Sequence, residues 1–340
     1  MKVGVFVFTS YRFTSLDTFC GGEYRYLLQI AECLSELDCD VSVLVEDANG
    51  EFEDRGIRFR HHHPTDRFDL IITQNTDKLP CLCQIGCPIW LFSMGNPDDA
   101  NLDNIDRVLT YDFGVVKHCA HLNYNDVELI YPYVDEVQVT EKIQFRMITA
   151  TTELYPHLRF HLAHEVFCRV KKSIVEFEYY YFYSPDWLKN ILGGNEDGHI
   201  EYLQRYDIPF KIANPTQDFH PVPLNDYKAY QQFLSSSGFY LNARGGMVAL
   251  APNEAMFHGV CVIDLERSIL GAGDLGRLAQ SIDVDRYPEF AAEYATNRII
   301  ALYQDRAGWD FVRTWQQTSA KRLRNKSRMR QSLRRFLNEL

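Results

Sequence analysis

Residues 241–266 read LNARGGMVALAPNEAMFHGVCVIDLE, and this stretch decides the fold expected for the chain. It contains a Gly-Gly turn, then a short helix that Glu254 opens, then a small-residue turn into a buried strand. Residues 20–34, CGGEYRYLLQIAECL, place another Gly-Gly pair just before an amphipathic helix. Backbone N–H groups and a helix N-terminus can hold an anion at both places. The two stretches predict two nucleotide-binding-type halves that face one ligand.

Short apolar strands alternate with helices along most of the chain. The first half predicts a helix over 23–37 and strands over 2–8, 41–45, 67–73, 88–92, 107–110 and 127–131. The second half predicts strands over 145–150, 174–182, 209–212, 238–242 and 260–264, and helices over 160–171, 197–206, 225–234 and 253–258. Short buried strands separated by helices indicate an α/β fold built from parallel, doubly wound sheets.

The length of 340 residues is sufficient for two domains with separate cores. The polar segment 136–142 is the best candidate for the connection between them. We predict an N-terminal Rossmann-like domain over 1–138, a C-terminal Rossmann-like domain over 139–305, and a helical, basic tail over 306–340.

Charge is distributed unevenly, although the net charge of the whole chain is −11. The last 21 residues hold eight Lys or Arg against one acid, Glu339, while the rest of the chain carries 27 bases and 45 acids. Two interpretations stay open for this tail. It is either a solvated helix face that pairs with the acidic body, or a contact for a polyanion such as lipid or nucleic-acid phosphate.

The sequence carries no sign of a membrane span or a secretion signal. No apolar run approaches the roughly 20 residues that cross a bilayer. The start, MKVGVFVFTSYRF, lacks the small-residue cleavage site of a signal peptide. We therefore expect a cytoplasmic protein. Peripheral attachment to a membrane surface stays open, because Trp309, Phe311 and Trp315 precede the basic residues.

The cysteines and paired aspartates do not predict a metal site. Nine cysteines are spread along the chain, an odd count that indicates reduced thiols in an intracellular protein. Cys81, Cys83 and Cys87 match no common zinc spacing, and buried apolar positions are the better interpretation. Two Asp-x-Asp pairs, 38/40 and 283/285, also lack the context of a metal-dependent transferase. We predict no metal and no required cofactor.

With these motifs in order, the chain resembles the retaining GT-B glycosyltransferases, the group typified by glycogen synthase and related mannosyl- and glucosyltransferases. The Gly-Gly unit at 20–45 resembles that family's first βαβ unit, and YPYVDEV at 131–137 resembles the end of its N-terminal domain. NEAMFHGVCVI at 253–263 resembles the motif of its donor-binding core. The resemblance implies two Rossmann-like domains that face a central cleft, and a nucleotide-sugar donor as substrate, with a UDP-sugar expected.

The resemblance also implies a set of donor-binding residues. Glu254 would accept hydrogen bonds from the ribose hydroxyls of the nucleotide. Glycines would allow close backbone approach to the diphosphate, since a Cβ would block it. Basic side chains would stabilise the charge that grows on the leaving group. The full donor-binding set is Gly21, Gly22, Arg159, Lys211, Arg244, Gly245, Gly246, Met247 and Glu254.

Departures from the family pattern leave the donor sugar and the acceptor open. The family usually has a Glu eight residues before the position of Glu254, where this chain has Gly246. Its Arg-Lys pair is represented by Arg159 alone. The loop LFSMGNPDD offers Asn96, Asp98 and Asp99 as the candidates near acceptor and anomeric carbon, and the predicted catalytic set is Asn96, Asp98 and Glu254. His258 is interpreted as a core residue.

Three functions follow from the sequence. The first is transfer of a sugar from a nucleotide sugar to a hydroxyl of a glycan or lipid acceptor, with retention. The second is a phage-type DNA glycosyltransferase that acts on hydroxymethylated bases, with the basic tail on DNA. The third is a catalytically degenerate GT-B module that binds a nucleotide or a glycan.

Overall fold

A computed structural model of the chain describes residues 1–7, 13–18, 22–45, 50–137, 142–149, 160–183, 219–223, 227–243, 250–265 and 287–340. These residues form two compact units. The first comprises Met1–Asp135 with Leu323–Leu340, and the second comprises Glu136–Arg322. The predicted helix over 197–206 and the predicted strand over 209–212 lie outside the described residues.

The first unit is built on an eight-stranded sheet. Its strands are β1 (Lys2–Val7), β2 (Asp40–Val45), β3 (Phe52–Asp54), β4 (Ile57–Arg60), β5 (Leu70–Thr73), β6 (Ile89–Phe92), β7 (Arg107–Thr110) and β8 (Val127–Leu129). Their order is β3-β4-β2-β1-β5-β6-β7-β8, and every pairing is parallel except that of β3 with β4. The central strands read as continuous apolar runs because both of their faces are buried.

Helices cover this sheet. They are α1 (Gly22–Ser35), α2 (Leu79–Leu82), α3 (Asp99–Leu102) and α4 (Phe113–His121), with 3-10 turns at Thr76–Lys78 and Cys83–Ile85. In α1, apolar residues at helical spacing, Leu27, Ile30, Ala31 and Leu34, are fully buried. The predicted helix over 23–37 is therefore confirmed, with both ends moved by one or two residues.

A hairpin of β3 and β4 is absent from the sequence-based prediction. Its turn is Arg55-Gly56, with φ of 52° and 76°. Positive φ at both central residues is typical of tight hairpin turns, which usually carry Asn or Asp at the first position. Here Arg55 takes that position, and its guanidinium pairs with Asp17 and Glu32. No hairpin was predicted here, because Arg-Gly is not a usual pair for such a turn. The ion pairs of Arg55 that accompany this backbone conformation form only in the folded chain.

The second unit has a smaller parallel sheet. Its described strands are β9 (Ile143–Thr149), β10 (Glu178–Tyr183), β11 (Phe219–Pro223), β12 (Ser237–Asn242) and β13 (Cys261–Asp264), in the order β11-β10-β9-β12-β13. Its described helices are α5 (Phe160–Lys171), α6 (Tyr227–Ser236), α7 (Leu250–Phe257), α8 (Pro288–Gln304) and α9 (Arg306–Leu323). The sequence did not predict β11, because it contains Pro221 and Pro223. Proline lacks the N–H of a central strand, and β11 lies at an edge of the described sheet.

The predicted tail over 306–340 is not one element. Helix α9 packs in the second unit, where Trp309 is fully buried and donates its indole N–H to the Gly238 carbonyl at 3.3 Å. The last helix, α10 (Lys326–Leu337), packs in the first unit and buries Met329, Leu333 and Phe336. The tail is divided between the two units because the apolar faces of α9 and α10 are buried in different cores.

Most bases of the tail have partners within their own unit. The ion pairs are Lys321–Glu136 at 3.2 Å, Lys326–Glu32 at 2.9 Å, Lys326–Glu36 at 2.6 Å, Arg330–Glu36 at 3.0 Å and Arg335–Glu128 at 2.9 Å. Arg324 is fully buried, with its guanidinium over the rings of Tyr111 and Tyr131. These contacts support the interpretation of a helix face paired with the acidic body. The proposed membrane role of Trp309 is wrong, because the ring is buried, whereas Phe311 and Trp315 are exposed.

A network centred on Glu32 joins α10 to the rest of the first unit. Glu32 accepts hydrogen bonds from the Tyr133 hydroxyl and from Lys326 Nζ, and Arg55 approaches at 3.3 Å. Burial raises the pKa of Glu32, but the bonds from Tyr133 and Lys326 and the charges of Lys326 and Arg55 outweigh it, so the net pKa is lowered. The ionised carboxylate therefore stabilises the folded unit.

We expect Glu32→Gln to lower the free energy of unfolding by about 1–3 kcal/mol at pH 7. Because the folded-state pKa lies below the unfolded value, this stabilisation is present above the unfolded pKa of about 4.3 and is lost as pH falls through the folded value. Urea unfolding of both proteins between pH 7 and pH 3 measures the difference. A difference that stays constant over this range would contradict a role for the charge of Glu32.

Two further expectations concern membranes and metals. Among the described residues, no helix is both long and apolar enough to cross a bilayer. Within the same residues, no group of three or more His, Cys, Asp or Glu is placed to hold a metal ion. Of the three clustered cysteines, Cys81 is exposed rather than buried, while Cys83 and Cys87 are half-buried.

Candidate donor-binding site

The second unit has its topological switch point between β9 and β12. The chain leaves β9 for β10 on one side of the sheet, whereas β12 lies on the other side. In open parallel sheets, ligands bind outside the carboxyl ends of the strands at this point. Thr149 ends β9 and Asn242 ends β12, and both side chains are buried. The candidate site therefore lies beside these two strand ends.

Buried polar groups mark this edge of the sheet. Asn242 pairs in register with Asp264, the last residue of β13, and its Nδ2 donates to Asp264 Oδ1 at 3.0 Å. Within the described part of the chain, the buried Thr149 Oγ1 has no hydrogen-bond partner. Sequence reasoning missed Thr149 and Asp264 as site residues. The signal that could have found them is a polar residue that ends an apolar strand.

Glu254 lies further along its helix than the sequence predicted. Helix α7 begins at Leu250, three residues before the predicted start at 253, so Glu254 does not open it. The difference arises because Pro252 occupies the first turn, where its missing N–H would have no intrahelical partner. Glu254 therefore sits in the second turn, away from the N–H groups of the helix N-terminus.

Two tyrosines of α6 hold the Glu254 carboxylate. The Tyr227 hydroxyl donates to Oε1, and the Tyr230 hydroxyl donates to Oε2 at 2.8 Å. All three side chains are at least 96% buried, since their exposed fractions are 4%, 3% and 2%. Burial, together with the charge of Glu254 and the neighbouring Tyr240 and Tyr227, raises the pKa of Tyr230 well above its usual value. The tyrosine therefore remains protonated and donates.

His258 lies at the other end of α7. It is buried, as the sequence predicted, and burial together with Lys142 and Lys321 lowers its pKa to about 3. Burial, with the charge of Arg313, also lowers the pKa of Lys142 to about 7. Lys142 immediately precedes β9, so these groups belong to the amino-terminal edge of the sheet, away from the switch point.

The first unit contains Asn96, Asp98 and Gly22. Asn96 and Asp98 are exposed in the loop between β6 and α3, where Asp98 is the N-cap residue of α3 but makes no side-chain capping bond. His118 Nε2 donates to the Pro97 carbonyl at 3.0 Å and braces this loop. Gly22 is the first residue of α1.

The structure thus brings Asn96 and Asp98 together on one loop, while Glu254 belongs to the other unit. The remaining predicted donor-binding residues lie outside the described residues; they are Gly21, Arg159, Lys211, Arg244, Gly245, Gly246 and Met247. Tyr227 and Tyr230 were missed, because nothing in the sequence links them to Glu254.

Comparisons with known proteins bear on the fold. No protein-family model and no curated protein matches the chain. Among solved structures, sucrose-phosphate synthase from Thermosynechococcus elongatus has a TM-score of 0.69 at 12% identity, covering 99% of this chain and 98% of that chain. Anabaena HepE in complex with UDP-glucose has a TM-score of 0.64 at 11% identity, covering 100% of both chains.

A third similar structure is an alpha-glucosyltransferase in complex with UDP-glucose and DNA containing an abasic site. Its TM-score is 0.59 at 10% identity, and the match covers 99% of both chains. These structures are GT-B glycosyltransferases, and the likeness shows that this chain has the same fold. The predicted α/β fold class of GT-B type is confirmed.

Proposed function

We propose that this chain of GT-B fold is a glycosyltransferase that moves a sugar from a UDP-sugar donor to an acceptor hydroxyl, with retention of configuration. The observation that carries the proposal is the buried carboxylate of Glu254, which lies on α7, the helix that follows the switch-point strand β12. Two tyrosines of α6 donate hydrogen bonds to it. Similar structures hold UDP-glucose. A buried carboxylate with a fixed orientation is suited to accept hydrogen bonds from a ribose diol.

The proposed chemistry assigns a task to each part of the chain. The bond between the anomeric carbon and the β-phosphate oxygen breaks, and UDP departs with the electron pair. Arg159, Lys211 and Arg244 are proposed to stabilise the growing charge, together with the backbone of Gly245 and Gly246. The acceptor oxygen bonds to the anomeric carbon on the same face from which UDP departs, so that the configuration is retained. Its proton passes to a base, for which Asp98 is the candidate, with Asn96 orienting the acceptor.

The proposed mechanism requires no metal ion, and this can be measured directly. We expect most of the transferase activity to survive EDTA, because cationic side chains and helix N-termini stabilise the leaving group. Initial rates with EDTA, with Mg²⁺ and with Mn²⁺ provide the comparison. A complete loss in EDTA that Mn²⁺ or Mg²⁺ restores would count against this mechanism.

A donor-hydrolysis panel tests the function as a whole. Purified protein is incubated with UDP-, GDP- and ADP-sugars, and release of the nucleoside diphosphate is measured with and without acceptors. We expect release from a UDP-sugar above that from the other nucleotides. Binding of UDP without release from any donor, with every acceptor in the panel, would favour the degenerate binding module instead.

One observation favours modified DNA as an alternative acceptor. The alpha-glucosyltransferase in complex with UDP-glucose and DNA matches over 99% of both chains. Its complex with UDP and a 13-mer DNA containing an HMU base matches over 96% of both chains, at a TM-score of 0.58. The acceptor panel therefore includes duplex DNA with and without hydroxymethylated pyrimidines. Transfer to the modified duplex alone would support a DNA glycosyltransferase, and transfer only to glycan or lipid acceptors would exclude it.

A further inference from the structure

The two tyrosines that bond Glu254 come from one turn of one helix. Tyr227 and Tyr230 are three positions apart at the start of α6, so both side chains project from the same face. Their ring centroids are 5.8 Å apart, and each hydroxyl reaches a different oxygen of the carboxylate. Contact with both oxygens fixes the rotation of the carboxyl plane as well as its position, which a single bond would not do.

Helix α6 is itself held in place at its C-terminal end. Lys142 Nζ donates to the Ser235 carbonyl, and the Ser235 hydroxyl bonds the Gln232 carbonyl at 2.7 Å. Leu234 and Gln231 of the same helix are also buried. The tyrosine hydroxyls are therefore presented by an element that packing and hydrogen bonds hold in place, as precise positioning requires.

A hydroxyl group that donates a hydrogen bond to a carboxylate does not neutralise its negative charge. Tyr230 stays protonated because its pKa is raised well above the usual value. A neutral O–H donor orients a carboxylate without neutralising it, whereas a Lys or Arg partner would cancel its negative charge.

We propose that Tyr227 and Tyr230 are positioning residues that set the orientation in which Glu254 accepts the ribose hydroxyls of a nucleoside diphosphate. This inference rests on the proposed function. It makes the tyrosines responsible for one part of the affinity, the recognition of the 2′- and 3′-hydroxyls. Contacts to the base and the diphosphate are expected to be independent of them.

The test compares UDP with 2′,3′-dideoxy-UDP by calorimetry on the full chain. We expect the wild type to bind UDP more tightly than the dideoxy analogue. In Tyr227→Phe/Tyr230→Phe, we expect the Kd of UDP to rise about tenfold, the size of effect typical of lost hydrogen bonds to a charged group. The Kd of dideoxy-UDP should stay within about twofold, because that ligand has no ribose hydroxyl for Glu254 to recognise.

Tyr133→Phe is a matched control. Tyr133 is also fully buried and also donates its hydroxyl to a buried carboxylate, Glu32, but in the first unit. We expect it to lower the melting temperature while leaving the ratio of the two Kd values unchanged. Melting curves of all variants distinguish a local effect on the ligand from a general loss of packing.

Three outcomes would overturn the proposal. Equal weakening of both ligands in the double variant would make the tyrosines structural. If the wild type prefers UDP and the double variant binds UDP with the same affinity, the two tyrosines are not needed to position Glu254. A wild type that binds neither ligand would overturn the proposed function itself, and this inference with it.

Discussion

Glu254→Ala is expected to lower kcat/KM for the donor at least about 30-fold. Each charge-assisted hydrogen bond that the carboxylate accepts from the ribose contributes about 1.5–3 kcal/mol, and each 1.36 kcal/mol changes the rate tenfold, so the loss of two such bonds exceeds this minimum. The loss should be larger than for either single tyrosine variant. Alanine removes the carboxylate itself, whereas a tyrosine variant removes only one of the hydrogen bonds that orient it. Steady-state kinetics with the preferred UDP-sugar measures it. Glu254→Gln keeps the volume but removes the charge and replaces one acceptor oxygen by an N–H donor.

The matched control for this experiment is Glu32→Ala. Glu32 is likewise a buried carboxylate that accepts a tyrosine hydroxyl, but it lies in the first unit among Lys326, Arg55 and Tyr133. We expect this variant to lose stability and to keep its kcat/KM at temperatures where it is folded. If the folded Glu254→Ala variant has unchanged kcat/KM, Glu254 does not belong to the donor site.

Deletion of residues 324–340 is expected to unfold the first unit. Met329, Leu333 and Phe336 are buried in its core, and burial of such side chains contributes about 1.5–3 kcal/mol each. The Phe336 ring also packs edge-on against Trp90, at a centroid distance of 6.3 Å. The summed loss is comparable with the whole stability of a typical domain, about 5–15 kcal/mol. Urea unfolding followed by tryptophan fluorescence, with Trp90 as the local probe, measures the effect.

Removal of charge alone should have a much smaller effect. Arg328 and Arg334 are exposed on α10, so Arg328→Ala/Arg334→Ala changes the charge of the helix but leaves its apolar face intact. We expect its unfolding midpoint to stay close to that of the wild type, because exposed charges contribute little to stability. A truncated protein with a wild-type midpoint would show that α10 is not part of the first unit's core.

Local pattern was sufficient for most of the secondary structure. Strand β7 and helix α5 occur at the predicted residues, because an apolar run of strand length and a 3.6-residue period each indicate one structure. Prediction failed where a tertiary contact, or the position of a strand within its sheet, determined the local structure. Arg55 adopts a positive φ beside Asp17 and Glu32, and the proline-containing β11 forms at a sheet edge.

The sequence by itself determined the α/β class and the alternation of strands and helices, because periodicity and glycine placement are local properties. Its resemblance to the GT-B donor-binding motif made Glu254 a candidate. Only the tertiary structure decided what surrounds that carboxylate and where the basic helices belong. Tyr227 and Tyr230 are separated from Glu254 by a whole strand and turn, and they meet it because β12 returns the chain alongside α6. Helices α9 and α10 are neighbours in sequence, yet their apolar faces are buried in different cores, and which core buries a face is a property of the folded chain.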